Sequence, residues 1–466
     1  MEALLAAAVR LVDPADTGTL VELRTGRHAA LFSQGRLEEA DEEYRAIEAA
    51  RPSAFDRAGA TAVQVRSLSH RTRFADALEL GLRTLAECGI AVPDTGRFAD
   101  ELGDGFGRLS AWLETDPADD LTRAELADPV LLAAGRLIDG VLPTAYFVAD
   151  PPLIAWLALQ ALRIWIEHGP SRSLIGSVGH AAYHAGVQGG DYPAGYRALQ
   201  RIVATGEARG YEPGTSQARY MFGAVCCWFE PAENAVRAVH QARDGLIAGD
   251  DLTYAGYSYQ LSVPYLVDCA PTLASFVAEV EGGLAFLRRT GNEQTGEWLD
   301  SYRWLVAVLR GEDSAASRAD VPIERYATGP LSLLYAHICH GMVAALTDDA
   351  AGLAEHSGAA LELIAAAAGS YSVTTVHLLH GLAQADRARA GEGDDRAEPL
   401  RALDEASGWF AARAADAPEN FVHLLRLVEA ERAWAVGDFR AAAFAFDAAL
   451  REVARRQRPW HQALIA

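Results

Sequence analysis

The stretch Gly35–Pro52, GRLEEADEEYRAIEAARP, decides the fold. Gly35 closes one helix and opens a tight turn, and Ala40, Tyr44 and Ile47 follow five, nine and twelve positions later. That spacing puts a small residue, an aromatic and an aliphatic on one face of the next helix, which Pro52 ends. The same offsets return at Gly190, Gly195, Leu199 and Ile202, and at Gly437, Ala442, Phe446 and Ala449, with GDY and GDF where GRL stood. A helix hairpin of about 34 residues cannot bury its apolar face alone and stacks on a neighbour. The chain is therefore expected to be an array of hairpins.

Composition agrees. At 466 residues the chain exceeds the size at which one hydrophobic core usually stops growing. It is rich in the helix formers Ala, Leu, Arg and Glu, and β-branched alternation is almost absent, so the expectation is all-α. The formal charge of −22, from 63 acidic and 41 basic residues, argues against nucleic acid as a partner. Met1–Val12 is too short for a secretion signal and carries Glu2 ahead of its apolar run. No run of about 18 consecutive apolar residues is found, so the expected location is the cytoplasm, with no membrane partner. Cys88, Cys226, Cys227, Cys269 and Cys339 are odd in number and scattered, which reads as reduced thiols.

Three regions are expected. Residues 1–94 form N-terminal hairpins, 95–150 form a connector with short helices, and 151–466 form the main superhelix. The connector is marked by the Gly- and Asp-rich GRFADELGDGFGRL and by breaks at Asp116-Pro117 and Asp128-Pro129. Gly311–Ala319 reads as an exposed excursion and GEGDDRAEP at 391–399 as a mobile acidic linker. Pro459–Ala466 begins another helix and stops, so the array is expected to be open at that end.

The second helices resemble the tetratricopeptide repeat, whose fold is a right-handed superhelix, or solenoid, of helical hairpins. In the first helix of the first hairpin, Arg24, Arg27 and His28 stand where that family prefers an aromatic, a Leu and a Gly. Longer strings, LPTAYFVADP (142–151), GDDLTYAGYS (249–258) and VGDFRAAAFAFDAALREVARRQRPWHQALIA (436–466), resemble the helical region of large bacterial signalling proteins. Those proteins join a kinase-like part and an AAA-type ATPase to GAF and histidine kinase parts. The resemblance implies a binding and coupling module. No GxxxxGK[ST] phosphate loop, kinase catalytic loop or histidine kinase ATP box is found, so the family's enzymatic activities do not carry over.

Aromatics concentrate in the middle third. The candidate ligand-binding residues are Tyr220, Trp228, Tyr254, Tyr257, Trp298, Tyr302 and His337, on the argument that rings in a groove hold apolar ligands or peptide side chains at small entropic cost. Packing between hairpins is the competing reading for each. His180 and His184 are four apart, and His337/His340 and His377/His380 are three apart, spacings that suit a metal or histidine packing. No pair carries an HExxH glutamate, and no metal site or cofactor is assigned. Asp394, Asp395 and Glu398 form a DDxxE string that reads as a solvated charge run.

The leading functional expectation is a non-catalytic sensor or scaffold that binds a protein segment or small apolar molecule in its groove. The alternative is a free-standing enzyme using the aromatic and histidine-lined groove for acid–base chemistry on a small apolar substrate. A third reading is a spacer that dimerises through its open end.

Overall fold

The repeat turns are built by the residues that announce them. Gly35, Gly190 and Gly437 occupy the left-handed region at φ 70°, 73° and 83°, where other residues are strained. The aspartates of GDY and GDF then cap the next helix: Asp191 accepts from the Ala194 amide at the start of α11 (Tyr192–Arg209), and Asp438 from the Ala441 amide at the start of α22 (Phe439–Arg456). The small residue of the pattern marks close approach. A Cβ on Gly195 would lie 2.6 Å from the Ala182 carbonyl oxygen of α10 (Ile175–Val187).

The computed structural model describes residues 1–148, 150–291, 296–311, 323–327 and 329–466. Among them every regular element is helical: 23 α-helices with short 3-10 turns, and no strand. The chain is an all-α array of antiparallel hairpins, as the sequence implies. It divides into two compact units, Met1–Met221 and Phe222–Ala466.

In the first unit, α2 (Thr17–Ser33) pairs with α3 (Leu37–Ala49), and α4 (Ala54–His70) with α5 (Phe74–Glu87). Ala40, Tyr44 and Ile47 are buried, as their spacing requires. The segment read as a connector behaves differently. It forms α6 (Thr95–Leu113), α7 (Pro117–Thr122) and α8 (Pro129–Val148), all packed inside this unit. Helix α8 lies against α4 and α5, and α6 against α9 (Pro151–His168).

A buried charge holds α7 in place. Asp120 accepts from the indole nitrogens of Trp112 and Trp165 at 3.1 and 3.3 Å and from Arg201 Nε of α11 at 2.7 Å. The remaining Arg201 nitrogens bond the Trp112, Thr115 and Asp116 carbonyl oxygens and the Thr115 hydroxyl. Gly/Asp composition marked a break, but the partner that orders the segment lies 81 residues on. Helix α8 is also long and apolar enough to cross a membrane by length and composition; half of its most apolar window is buried within the protein.

The second unit runs from a 3-10 turn (Cys226–Trp228) through α13 (Ala232–Ala248), α14 (Leu252–Cys269), α15 (Leu273–Arg289) and α16 (Glu297–Leu309). It continues through α17 (Pro330–Leu346), α18 (Ala350–Glu362), α19 (Ser372–Ala390), α20 (Ala397–Asp416) and α21 (Pro418–Ala435), then α22 and α23 (Pro459–Ile465). The array in this unit curls until α21 meets its beginning. The fully buried Asn420 accepts from the Ala232 amide at 2.9 Å and donates to the Cys227 and Glu230 carbonyl oxygens, each at 2.7 Å.

The run at 391–399 is not a mobile linker: Arg396 donates to the Ala388 and Ala435 carbonyl oxygens, and Pro399 is buried in α20. Asp394, Asp395 and Glu398 are exposed, as a solvated charge run should be. The Gly311–Ala319 excursion lies outside the described residues beyond Gly311.

Candidate functional site

Helix α14 starts on an Asp251 cap and buries most of its surface, ending at Asp268 and Cys269. A carboxylate at its buried end needs partners, because desolvation of an unpaired charge is expensive. Asp268 draws them from distant parts of the unit. The Tyr371 hydroxyl, just before α19, donates to Oδ2 at 2.7 Å, and the Trp460 indole of α23 donates to Oδ1 at 2.6 Å. Burial raises the Asp268 carboxyl above its usual range, against the lowering effect of these two hydrogen bonds.

His461 extends the network. Its Nε2 lies 3.6 Å from Asp268 Oδ1, and its Nδ1 lies 3.1 Å from Nε2 of His423 on α21. Asp268 and His461 are each 1% exposed and His423 is 0% exposed, so all three are cut off from water. Burial pushes both imidazoles well below their ordinary range, and the Arg458 cation adds to the effect. Arg458, in the junction before α23, makes a two-pronged ion pair with Glu233 of α13 at 2.6 and 3.2 Å.

The arrangement is a seat for a short helix. Helix α23 lies against α14, α17 and α22, with Trp460, His461 and Ile465 buried. The half-hairpin expected to leave the array open is instead docked on the interior of its own unit, because an indole and an imidazole find buried hydrogen-bond partners there and a guanidinium pairs with a half-exposed carboxylate. Sequence periodicity could not reveal this, since the Trp460–Asp268 and Tyr371–Asp268 partners are 192 and 103 residues apart.

The seven residues expected to line a groove do not share one surface. Trp228 stacks on Phe421 at 5.8 Å with planes 1° apart and donates to the Gly369 carbonyl oxygen. Trp298 and Tyr302 pack edge to face at 6.2 Å and meet Tyr335 of α17. Tyr254 and Tyr257 are edge to face at 5.7 Å. Tyr220, Trp228, Tyr254, Trp298, Tyr302 and His337 are buried, and Tyr257 is half-buried. His337 places Nδ1 3.2 Å from Nδ1 of His356 on α18, beside His340, whose ring stacks on Trp304 at 3.9 Å.

The four-apart pair in the first unit grips a phenol. Tyr146 lies with its hydroxyl 2.9 Å from His180 Nδ1 and 3.0 Å from His184 Nε2; the ring edge is exposed while the hydroxyl points inward. Gln188 Nε2 donates to the Pro151 carbonyl oxygen and to His184 Nδ1, so His184 carries its proton on Nε2 and the Tyr146 proton is directed at His180. Burial takes His180 down to about 3 and His184 to about 4. His377 stacks on Trp409 at 4.3 Å. Among the described residues no group of three metal-ligating side chains is assembled.

Surface hollows of about 180 Å3 and about 330 Å3 lie beside Phe106, Leu109 and Asp191 and beside Arg396, Leu400 and Val436. None of the seven expected residues lines either one.

No family model matches the chain, and no curated protein does. Among solved structures, a circular tandem repeat protein with novel repeat topology and enhanced subunit contact surfaces aligns over 98% of both chains at 10% identity, with a TM-score of 0.18.

Proposed function

We propose that this protein is a non-catalytic binding scaffold whose second unit holds a protein segment in helical form. The observation that carries this reading is the docked α23: a short helix is already held by an indole-to-carboxylate bond, an imidazole pair and a buried guanidinium paired with a half-exposed carboxylate. Recognition by an apolar face with a few buried polar anchors is how amphipathic helices are bound in grooves. The resemblance of the strings at 142–151, 249–258 and 436–466 to the helical region of bacterial signalling proteins supports a coupling role in the cytoplasm.

The enzyme alternative asked for a ligand-sized groove lined by the central aromatics. Most of those aromatics are buried, which favours the scaffold reading.

The test uses the full chain and a synthetic peptide of residues 456–466, RQRPWHQALIA. Excess peptide should compete with α23 and raise hydrogen exchange at the amides of 460–466 without changing exchange in α14. Unchanged exchange at saturating peptide, with no peptide retained on the protein, would overturn the reading.

A further inference from the structure

The hydrogen-bonding capacity of the seat limits what can occupy it. With Asp268 ionised, the proton of His461 belongs on Nε2, which faces Asp268 Oδ1 at 3.6 Å. His461 Nδ1 is then a bare acceptor, filled by the Nε2 proton of His423 at 3.1 Å. This leaves His423 Nδ1 unprotonated, and that atom has no hydrogen-bond partner among the described residues. The opposite tautomers would aim a lone pair at the carboxylate and bury an unpaired N–H on His423. The first arrangement is the better satisfied one.

An additional proton on either imidazole leaves an N–H unmatched, because a doubly protonated His461 either faces the His423 Nε2–H across 3.1 Å or forces that proton round to His423 Nδ1, where it meets no acceptor among the described residues. Placed directly on His423 Nδ1, the proton would create a buried cation whose new N–H meets no acceptor among them.

We propose that the seat is a receptor for a tryptophan–histidine helical segment whose imidazole is uncharged, so that filling the seat expels protons and acid empties it. This rests on the binding reading above. The specificity groups are Asp268 for the indole N–H, His423 for the bare imidazole nitrogen and Glu233 for an arginine two residues ahead of the tryptophan. Helix α23 is the resident occupant, and a partner segment of the same chemistry takes its place when the resident leaves.

The other ionisable groups around the seat leave the sign intact. Helix α17 contributes Tyr335 and Cys339, and α14 contributes Cys269, all kept neutral by burial. Tyr371 and Tyr302 are held neutral in the same way, the Arg458–Glu233 pairing favours the charged form of both partners, and Arg456 pairs with Glu452. Asp268 alone opposes, since its raised carboxyl favours proton uptake in the filled seat. One carboxyl works against two imidazoles. The filled seat loses stability as pH falls through about 6.5, the ordinary imidazole value of the emptied state, and keeps it above.

The experiment is hydrogen exchange with mass spectrometry on the full chain at pH 7.5 and 5.5, corrected for intrinsic exchange. The opening of 460–466 should rise about tenfold if one imidazole is freed to titrate, and towards a hundredfold if both are. A variant carrying both His423→Asn and His461→Asn should show no such rise. An opening that does not change with pH in the unaltered chain, or a rise spread equally over α14 and α21, overturns the gate. The same rise in the double variant also overturns it. If opening responds to pH but the 456–466 peptide enters the seat at neither pH, the binding reading falls and the proton gate stands.

Discussion

Two buried aspartates, one in each unit, are stabilised by different chemistry. Asp120 is neutralised by a full positive charge, since Arg201 approaches it to 2.6 Å and spends its other donors on backbone carbonyls. Asp268 has two neutral donors, Tyr371 and Trp460, and an imidazole slightly beyond hydrogen-bond range. The first solution fixes a helix permanently, because either partner alone is a stranded charge. The second retains a helix through groups that lose their fit when an imidazole is protonated. The comparison separates an architectural knot from a releasable contact.

Removing the charge from the knot should have the largest effect. Asp120→Ala strands Arg201 and should cost about 3–5 kcal/mol in the first unit, read as a drop in denaturation midpoint. Asp268→Asn keeps an acceptor for Trp460 or Tyr371 and should cost about 1–2 kcal/mol. Equal losses would erase the distinction between the two sites.

Asn420→Ala comes next. It removes three buried hydrogen bonds and leaves the Ala232 amide and the Cys227 and Glu230 carbonyls unpaired. The expected loss is about 2–4 kcal/mol, confined to the second unit. Early hydrogen exchange in α21 and α13 together would confirm that this residue closes the array.

Tyr146→Phe sharpens the contrast from the first unit, where an imidazole pair is satisfied by a phenol and not by another imidazole. Two nitrogens lose their partner, for about 1–3 kcal/mol. His180, which accepts the Tyr146 proton, should then titrate above about 3, while His184, which loses an acceptor for its Nε2–H, should not rise above about 4, both measurable by NMR. An unmoved His180 titration would show that burial alone sets it.

Gly35→Ala should be the smallest change, about 1 kcal/mol. Its turn needs a left-handed backbone, but no atom crowds the added methyl. Gly195→Ala should cost more, about 1–3 kcal/mol, because its Cβ meets the Ala182 carbonyl. A reversed order would mean that turn strain outweighs helix spacing in these hairpins.

The hairpin array was legible in the sequence because its causes are local. Glycine at the turn, aspartate at the cap and apolar residues on one helical face act within about two turns of helix, and Gly190, Asp191, Gly195 and Leu199 do what their spacing implies. The concentration of aromatics was also legible, but its use was not. Trp228, Trp298 and Tyr302 pack in the interior because the second unit curls until Asn420 meets Cys227, a consequence of small rotations summed over many hairpins. The same distance rule hid the ordered helices at 95–148, of which α6 and α7 meet Arg201 and α8 packs on α4 and α5, and the seat of α23, which depends on Asp268, Tyr371 and His423. Periodicity encodes which face of a helix is buried. Which buried polar groups meet across dozens to nearly two hundred residues is decided only when the helices are stacked.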